Sequence, residues 1–213
     1  MKITWHGQSC FKIVTKNTTI ITDPFSKDIG LKPPHFEADI VTVSHSHHDH
    51  NNVSALRGTP FVVDGPGEYE LKGTVIQGIN SFHDKKEGKE RGVNAIFIIE
   101  AEDMKVCHLG DLGQKELTDE QMDKIGEVDI LMIPVGGVYT INSEEAAFII
   151  NQIEPRIVIP MHYKVPGLNI KLESADAFLK EMGVEKEVVD QLTIKKNDLP
   201  KEEEMKVVVM KIA

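Results

Sequence analysis

Between residues 45 and 50 the chain reads HSHHDH, which puts four potential metal ligands, His45, His47, Asp49 and His50, into six positions. Residues two apart on an extended segment point the same way, so His45 and His47 can bring two imidazoles to one ion. Asp49 and His50 follow at once and offer a carboxylate and a third imidazole to a second ion if the chain turns there. A histidine-rich surface loop is the plain alternative. Four potential ligands packed into six residues directly after an apolar strand argue against it.

The elements that must position this run can be read on either side of it. Residues 2–14 and 18–22 are rich in β-branched and apolar side chains and are separated by Lys16 and Asn17, the pattern of a hairpin or meander. Asp23 and Pro24 close the second of these, and the apolar strand 40–43 delivers Ser44 and the histidines at its C-terminal end. A short helix is expected at 53–56. Strands follow at 61–63, 69–71, 75–79, 95–100 and 104–109, the last ending at Gly110 and Asp111. Thr118 with Gln121, and Asn142 with Glu145, have the form of capping boxes that open helices to about 125 and 153. Strands at 129–135 and 156–161 alternate with these helices, and His162 ends the second strand. A last helix near 174–182 precedes terminal strands at 188–194 and 205–212, which are expected to finish the second sheet. The charged stretches 84–91 and 201–204 read as a solvated loop and a solvated turn.

HSHHDH after a strand resembles the HxHxDH signature of the metallo-β-lactamase fold superfamily. Further features of that superfamily occur in order: Asp23 in ITDP, His83 in NSFHD, Asp111 in HLGD and His162 in IPMHY. Alone, His83 and His162 would read as packed residues; their order and their places at strand ends mark them out. The resemblance runs from about residue 3 to residue 163. It implies that His45, His47 and His83 hold one ion, that Asp49, His50 and His162 hold a second, and that Asp111 bridges them. It also implies that Asp23 orients the ligand loop through hydrogen bonds. Gly110 and Gly113 permit the tight backbone path that brings a strand-end carboxylate close to metal. The phrases GPGEYE, HLGDLG and PVGG are similar to those of the small stand-alone hydrolases related to ascorbate-6-phosphate lactonase. The fold implied is α/β, a four-layer αββα sandwich of two mixed β-sheets with helices on the outer faces, in a single domain spanning residues 1–213.

Two divalent ions sharing a carboxylate can share a water and lower its pKa toward neutrality, so no serine or cysteine nucleophile is required. Asp49 can then orient that water or shuttle a proton. The expected activity is hydrolysis of a small ester or lactone, phosphorylated or not. Phosphodiester hydrolysis at the same centre is the rival, and a non-catalytic metal-binding module is the alternative outside enzymology. Zinc is the expected metal from histidine-rich ligation, with manganese or iron allowed by the same donors. Arg91, Tyr139 and Lys164 are candidates for substrate contact because they lie near ligand-bearing or glycine-rich loops. His6, His35, His48 and His108 fall outside the ligand set: His6 and His108 read as packed, His35 and His48 as facing solvent. Glu68 reads as part of a structural turn.

The 213 residues are 40% hydrophobic and 27% charged, which suits a folded globular protein. A net charge of −10 disfavours a nucleic acid partner, because the molecule's field repels a phosphate backbone. It weighs little against a small phosphorylated metabolite, since two divalent cations dominate the potential in a cleft. Cys10 and Cys107 stand far apart in apolar contexts and read as buried thiols. No apolar run approaches a signal peptide or a membrane span. The expectation is a cytoplasmic protein that acts on a small molecule, binds neither nucleic acid nor membrane, and can form homo-oligomers.

Overall fold

A meander opens the chain, with β1 (Lys2–Trp5), β2 (Phe11–Val14) and β3 (Thr19–Thr22) pairing antiparallel in sequence. In the computed structural model, which describes residues 1–201 and 204–213, the expected run 2–14 is broken at residues 7–9. There Gly7 and Gln8 both adopt positive φ, and the chain reverses so that the Cys10 N–H bonds the Gly7 carbonyl. β4 (Ile40–Thr42) and β5 (Phe61–Val63) then add in parallel to β3. The second sheet begins as a meander too, with β6 (Gly67–Leu71), β7 (Thr74–Phe82), β8 (Val93–Ala101) and β9 (Met104–His108), and turns parallel at β10 (Ile130–Pro134) and β11 (Ile157–Met161).

The helices come from the second half: α1 (Asp119–Ile125), α2 (Ser143–Ile153) and α3 (Asp176–Glu181). Both expected capping boxes are formed. Thr118 accepts from the Gln121 N–H while the Gln121 side chain accepts from the Thr118 N–H, and Asn142 and Glu145 do the same for α2. The predicted helix at 53–56 is one 3-10 turn, Val53–Ala55. Among the described residues no helix is long and apolar enough to cross a membrane.

Each sheet is mixed, and the two are joined by one apolar core. Alternate residues of the first sheet, such as Ile3, Trp5, Phe11, Ile13, Ile20 and Ile40, enter that core together with Ile96, Phe97, Leu131, Ile133, Ile159 and Phe178. Their neighbours Cys10, Ile21 and Val41 point to the other face, where Phe25, Ile29 and Leu56 from the connecting loops and 3-10 turns cover them. Both cysteines are buried and free.

The terminal strands differ from expectation. They are four two-residue pieces: β12 (Val188–Val189), β13 (Leu192–Thr193), β14 (Lys206–Val207) and β15 (Val209–Met210). β13 joins the first sheet beside β1, β14 joins the second beside β11, and β12 pairs with β15 apart from both. Polar and charged residues break the alternation here, so no long ladder can form. The expected turn at 201–204 includes residues 202 and 203, which lie outside the described residues.

Strand direction positions the functional end. β3 and β4 run parallel, as do β9, β10 and β11, and β7 runs with β9 because β8 lies antiparallel between them. The C-terminal ends of these strands carry Asp23, His45, His83, Asp111 and His162.

Candidate metal centre

Asp23 follows β3 in the left-handed region, with φ of 40°, and is fully buried. One carboxylate oxygen accepts from the Ser44 N–H at 2.8 Å; the other accepts from the Ser44 hydroxyl at 2.6 Å and from His50 Nδ1 at 2.9 Å. The Ser44 hydroxyl has one proton and gives it to Asp23, so its contact with His45 Nδ1 at 2.9 Å must be accepted from the imidazole. Both Nδ1 atoms are therefore donors, which leaves the Nε2 lone pair of His45, and that of His50 in its neutral form, free to bind.

Asp111 sits where the histidines converge. Its Oδ2 lies 3.4 Å from His83 Nε2 and 3.2 Å from His162 Nε2, and its Oδ1 lies 3.3 Å from His50 Nε2. Its backbone N–H donates to Asn94 Oδ1 at 2.9 Å, and Ser9 Oγ stands 3.5 Å from its carboxylate. A Cβ at Gly110 would come within 2.4 Å of Asn94 Oδ1, and one at Gly113 within 2.3 Å of the His83 backbone. Glycine at both places is thus a condition for bringing Asp111 and His83 together.

Donor atoms fall into three overlapping groups, each within 4.8 Å: His45, His47 and His83; His45, His50 and Asp111; Asp49, His50 and His162. Both trios anticipated for the two ions are brought together, and the third group links them through Asp111. Among the described residues, His45 Nε2, His50 Nε2, His83 Nδ1 and His162 Nδ1 are buried without a hydrogen-bond partner. Each such atom costs about 1–3 kcal/mol. Two of them, His45 Nε2 and His50 Nε2, stand 4.0 and 3.3 Å from Asp111 beside the Nε2 atoms of His83 and His162, and this cluster of imidazoles around a carboxylate is the donor set a divalent cation takes up, so the residues fit a metal.

The charge states of His45, His83 and Asp111 agree with that fit. Burial, followed by the neighbouring His50 charge, pushes the His45 pKa down to about 3, leaving a neutral ligand. Burial also lowers His83. Burial opposes ionisation of Asp111, but the His162 and His50 charges outweigh it and hold the carboxyl well below its usual range. At His50 burial likewise disfavours charge, and the surrounding Asp111, Asp23 and Asp49 carboxylates reverse the balance and raise the pKa.

Several residues of the centre carry no signature of their own in the sequence. Gln8 is fully buried with φ of 49°; its Nε2 donates to Asp49 Oδ2 at 3.2 Å, and its carbonyl accepts from the His162 N–H at 3.1 Å. One residue of the β1–β2 turn thereby holds a carboxylate that follows the first sheet and the backbone of a histidine that ends a strand of the second. The only local signal is Gly7, Gln8 and Ser9 interrupting two apolar alternations. Ser9, Ser44 and Asn94 are equally unmarked.

The remaining expected positions sort as follows. His108 is buried, with Nε2 2.8 Å from the Ser9 carbonyl and Nδ1 accepting from the Gly110 N–H, so it braces the Asp111 turn. His6 is buried against the Phe36 ring, at a centroid distance of 4.7 Å. His35 and His48 are exposed, as is Glu68 on β6. Arg91 lies over the Tyr139 ring, its guanidinium carbon 5.4 Å from the centroid. Lys164 has an exposed side chain, and its backbone N–H bonds the Glu173 carbonyl. The segment 84–91 is more than a solvated loop: Asp84 is buried and accepts from the N–H groups of Lys86, Gly88, Glu90 and Arg91. A carboxylate facing four backbone donors wraps the loop around itself directly after His83.

Residues 2–162 match the family model of the beta-lactamase superfamily domain. A UPF0173 metal-dependent hydrolase of Thermoplasma acidophilum is 30% identical over 196 residues, covering 76% of this chain and 83% of that protein. A solved structure from Thermotoga maritima, assigned to the Zn-dependent hydrolases of the metallo-beta-lactamase superfamily, is 40% identical with a TM-score of 0.82, covering 98% of this chain and 97% of that one. An isothiocyanate hydrolase from Delia radicum gut bacteria, 12% identical with a TM-score of 0.67 over 92% of this chain and 99% of its own, shares the fold alone.

Proposed function

Because the chain belongs to the beta-lactamase superfamily and is a metal-dependent hydrolase within it, we propose that it cleaves a small ester or lactone, phosphorylated or not, at a dinuclear site. His45, His47 and His83 would hold one ion, Asp49, His50 and His162 the other, and Asp111 both. The observation that carries this reading is the buried Asp111 carboxylate within 3.4 Å of the Nε2 atoms of His50, in the turn after β4, and of His83 and His162, at the ends of β7 and β11. When bound, a pair of divalent ions lowers the pKa of a shared water toward neutrality and stabilises charge developing on the substrate oxygen.

The chain's own contributions are positional and protic. Asp23 and Ser44 fix the rotation of the His45 and His50 rings. Asp49 is the cluster carboxylate with the most contact with solvent, its side chain 14% exposed against 3% for Asp111 and none for Asp23. It orients the attacking water and relays its proton outward from Oδ2, where Gln8 Nε2 holds it. Zinc suits the histidine-rich donor set, and manganese or iron suits it by the same ligand types. A small-molecule substrate agrees with the acidic balance of the chain.

The test is metal analysis coupled to turnover on a panel of lactones, esters and bis-p-nitrophenyl phosphate, for the wild type and Asp111→Ala. Two equivalents of metal with ester or lactone turnover, both lost in the variant, are expected. Turnover of the phosphodiester alone would replace the substrate reading, and unchanged metal content in the variant would remove Asp111 from its role.

A further inference from the structure

The loop that follows His83 carries four cations, and they are not treated alike. Lys85 pairs with Glu145, Lys86 with Glu90 and Lys89 with Glu87. Arg91 is the exception: half-buried, it has no carboxylate within salt-bridge distance among the described residues, in a chain with 34 acidic and 24 basic side chains. Its guanidinium is shelved on the Tyr139 ring instead, the arrangement that holds a planar cation while leaving its edge donors free.

Both partners are tied to the centre through backbone. Arg91 N–H is bound by Asp84, the residue after His83, and the Gly92 carbonyl accepts from the His83 N–H. Tyr139 sits two residues before Ile141, whose N–H bonds the Leu112 carbonyl beside Asp111. Gly136, at the start of the same loop, packs so closely on the His162 carbonyl that a Cβ there would lie 2.1 Å from it. The loop then passes through Val138 at φ of 50°, a conformation costly for a β-branched residue, and this leaves Val138 47% and Tyr139 39% exposed. The pair thus joins the loops on two sides of the cluster, with an apolar fringe next to an unpaired cation.

We infer that Arg91, seated on Tyr139, is the specificity-determining residue for a substrate that carries an anionic group, a carboxylate or a phosphate, beside the ester or lactone to be cleaved. This rests on the hydrolase reading above and narrows it. A bidentate guanidinium matches either anion, and the exposed Val138 and Tyr139 side chains suit the short apolar body between that anion and the scissile bond.

The test uses the zinc-loaded protein and two esters with one leaving group, 4-nitrophenyl acetate and mono-4-nitrophenyl succinate. The wild type is expected to favour the charged ester in kcat/KM by about tenfold, the worth of one good charge-assisted contact. That ratio should collapse toward unity in Arg91→Met, through KM, and be partly kept in Arg91→Lys. A ratio unmoved by both variants overturns the inference while leaving the hydrolase reading intact. If neither ester is turned over, the ester reading fails and binding decides: calorimetry with succinate and with inorganic phosphate should show about tenfold weaker affinity in Arg91→Met, and equal dissociation constants overturn the inference. The anion that loses more identifies the group recognised. The Arg91 N–H bond to Asp84 survives either substitution, and melting curves check that the loop remains folded.

Discussion

The two ends of the second sheet handle charge in opposite ways. At the N-terminal ends of β9, β10 and β11 lies a hollow of about 710 Å³ lined by Glu102, Asp129, Arg156 and Lys196 among others. Its buried carboxylate is matched, with Lys196 Nζ 3.0 Å from both Asp129 oxygens, and around it the chain's own ammonium group bonds Glu102 and Lys105 pairs with Glu100. At the C-terminal ends of the same strands, among the described residues, four buried imidazole nitrogens lack partners. Unsatisfied donors and acceptors mark where a ligand belongs, whereas a satisfied hollow is a feature of packing.

Five substitutions, the last read through a pH series, test that contrast and its surroundings. The largest effect is expected for Asp111→Ala, which should abolish bound metal and reduce turnover to background; retained metal would mean that the open nitrogens do not form one centre. Asp23→Asn keeps the fold and should weaken metal affinity about 10–100-fold, because the rings of His45 and His50 lose their orienting partner. Equilibrium dialysis against a chelator would read the change. Gln8→Leu frees Asp49 and should slow turnover about tenfold with metal content preserved; equal loss of metal and rate would make Gln8 a prop for the whole centre. At the satisfied end, Asp129→Asn should lower stability by about 1–3 kcal/mol in urea titrations and leave metal content unchanged. A drop in metal there would break the contrast between the two ends.

The smallest effect concerns His6. Burial, helped by the Lys12 charge, lowers its pKa from 6.5 to about 4, so between those values the unfolded chain binds a proton that the native chain does not. Stability therefore falls as pH drops through that window, by roughly 1 kcal/mol at pH 6. His6→Leu should flatten this part of a pH series of denaturant midpoints, and an unchanged slope would assign it to other groups.

Much of the centre is legible in the amino-acid sequence, for identifiable reasons. His45, His47, Asp49 and His50 announce themselves by density, and the two capping boxes are local interactions within four residues, so they survive whatever surrounds them. Gly110 and Gly113 are readable because a missing Cβ is a statement about backbone space. Gln8, Ser9 and Asn94 are not, since each acts across a tertiary contact, from a turn or strand interior, on a partner 17 to 154 residues away. Asp84 is hidden for a different reason: a buried carboxylate beside a mostly charged run looks like the rest of a solvated stretch until its four N–H partners are seen. The terminal strands escape sequence reading because edge pieces of two residues are selected by the open edge beside β1 or β11, which no local pattern records.

One consequence follows from where the ligand-bearing strands end. The side chains of the centre are drawn from both sheets and from positions as far apart as 45 and 162, and the Gln8 carbonyl must reach the last of them. No partly made chain that stops short of residue 162 contains the set, and no collapsed form with only one sheet built can assemble it. Acquisition of metal thus requires completed folding: a molecule that has captured metal has both sheets docked in register, and one that has not is expected to show a lower melting point and faster proteolysis.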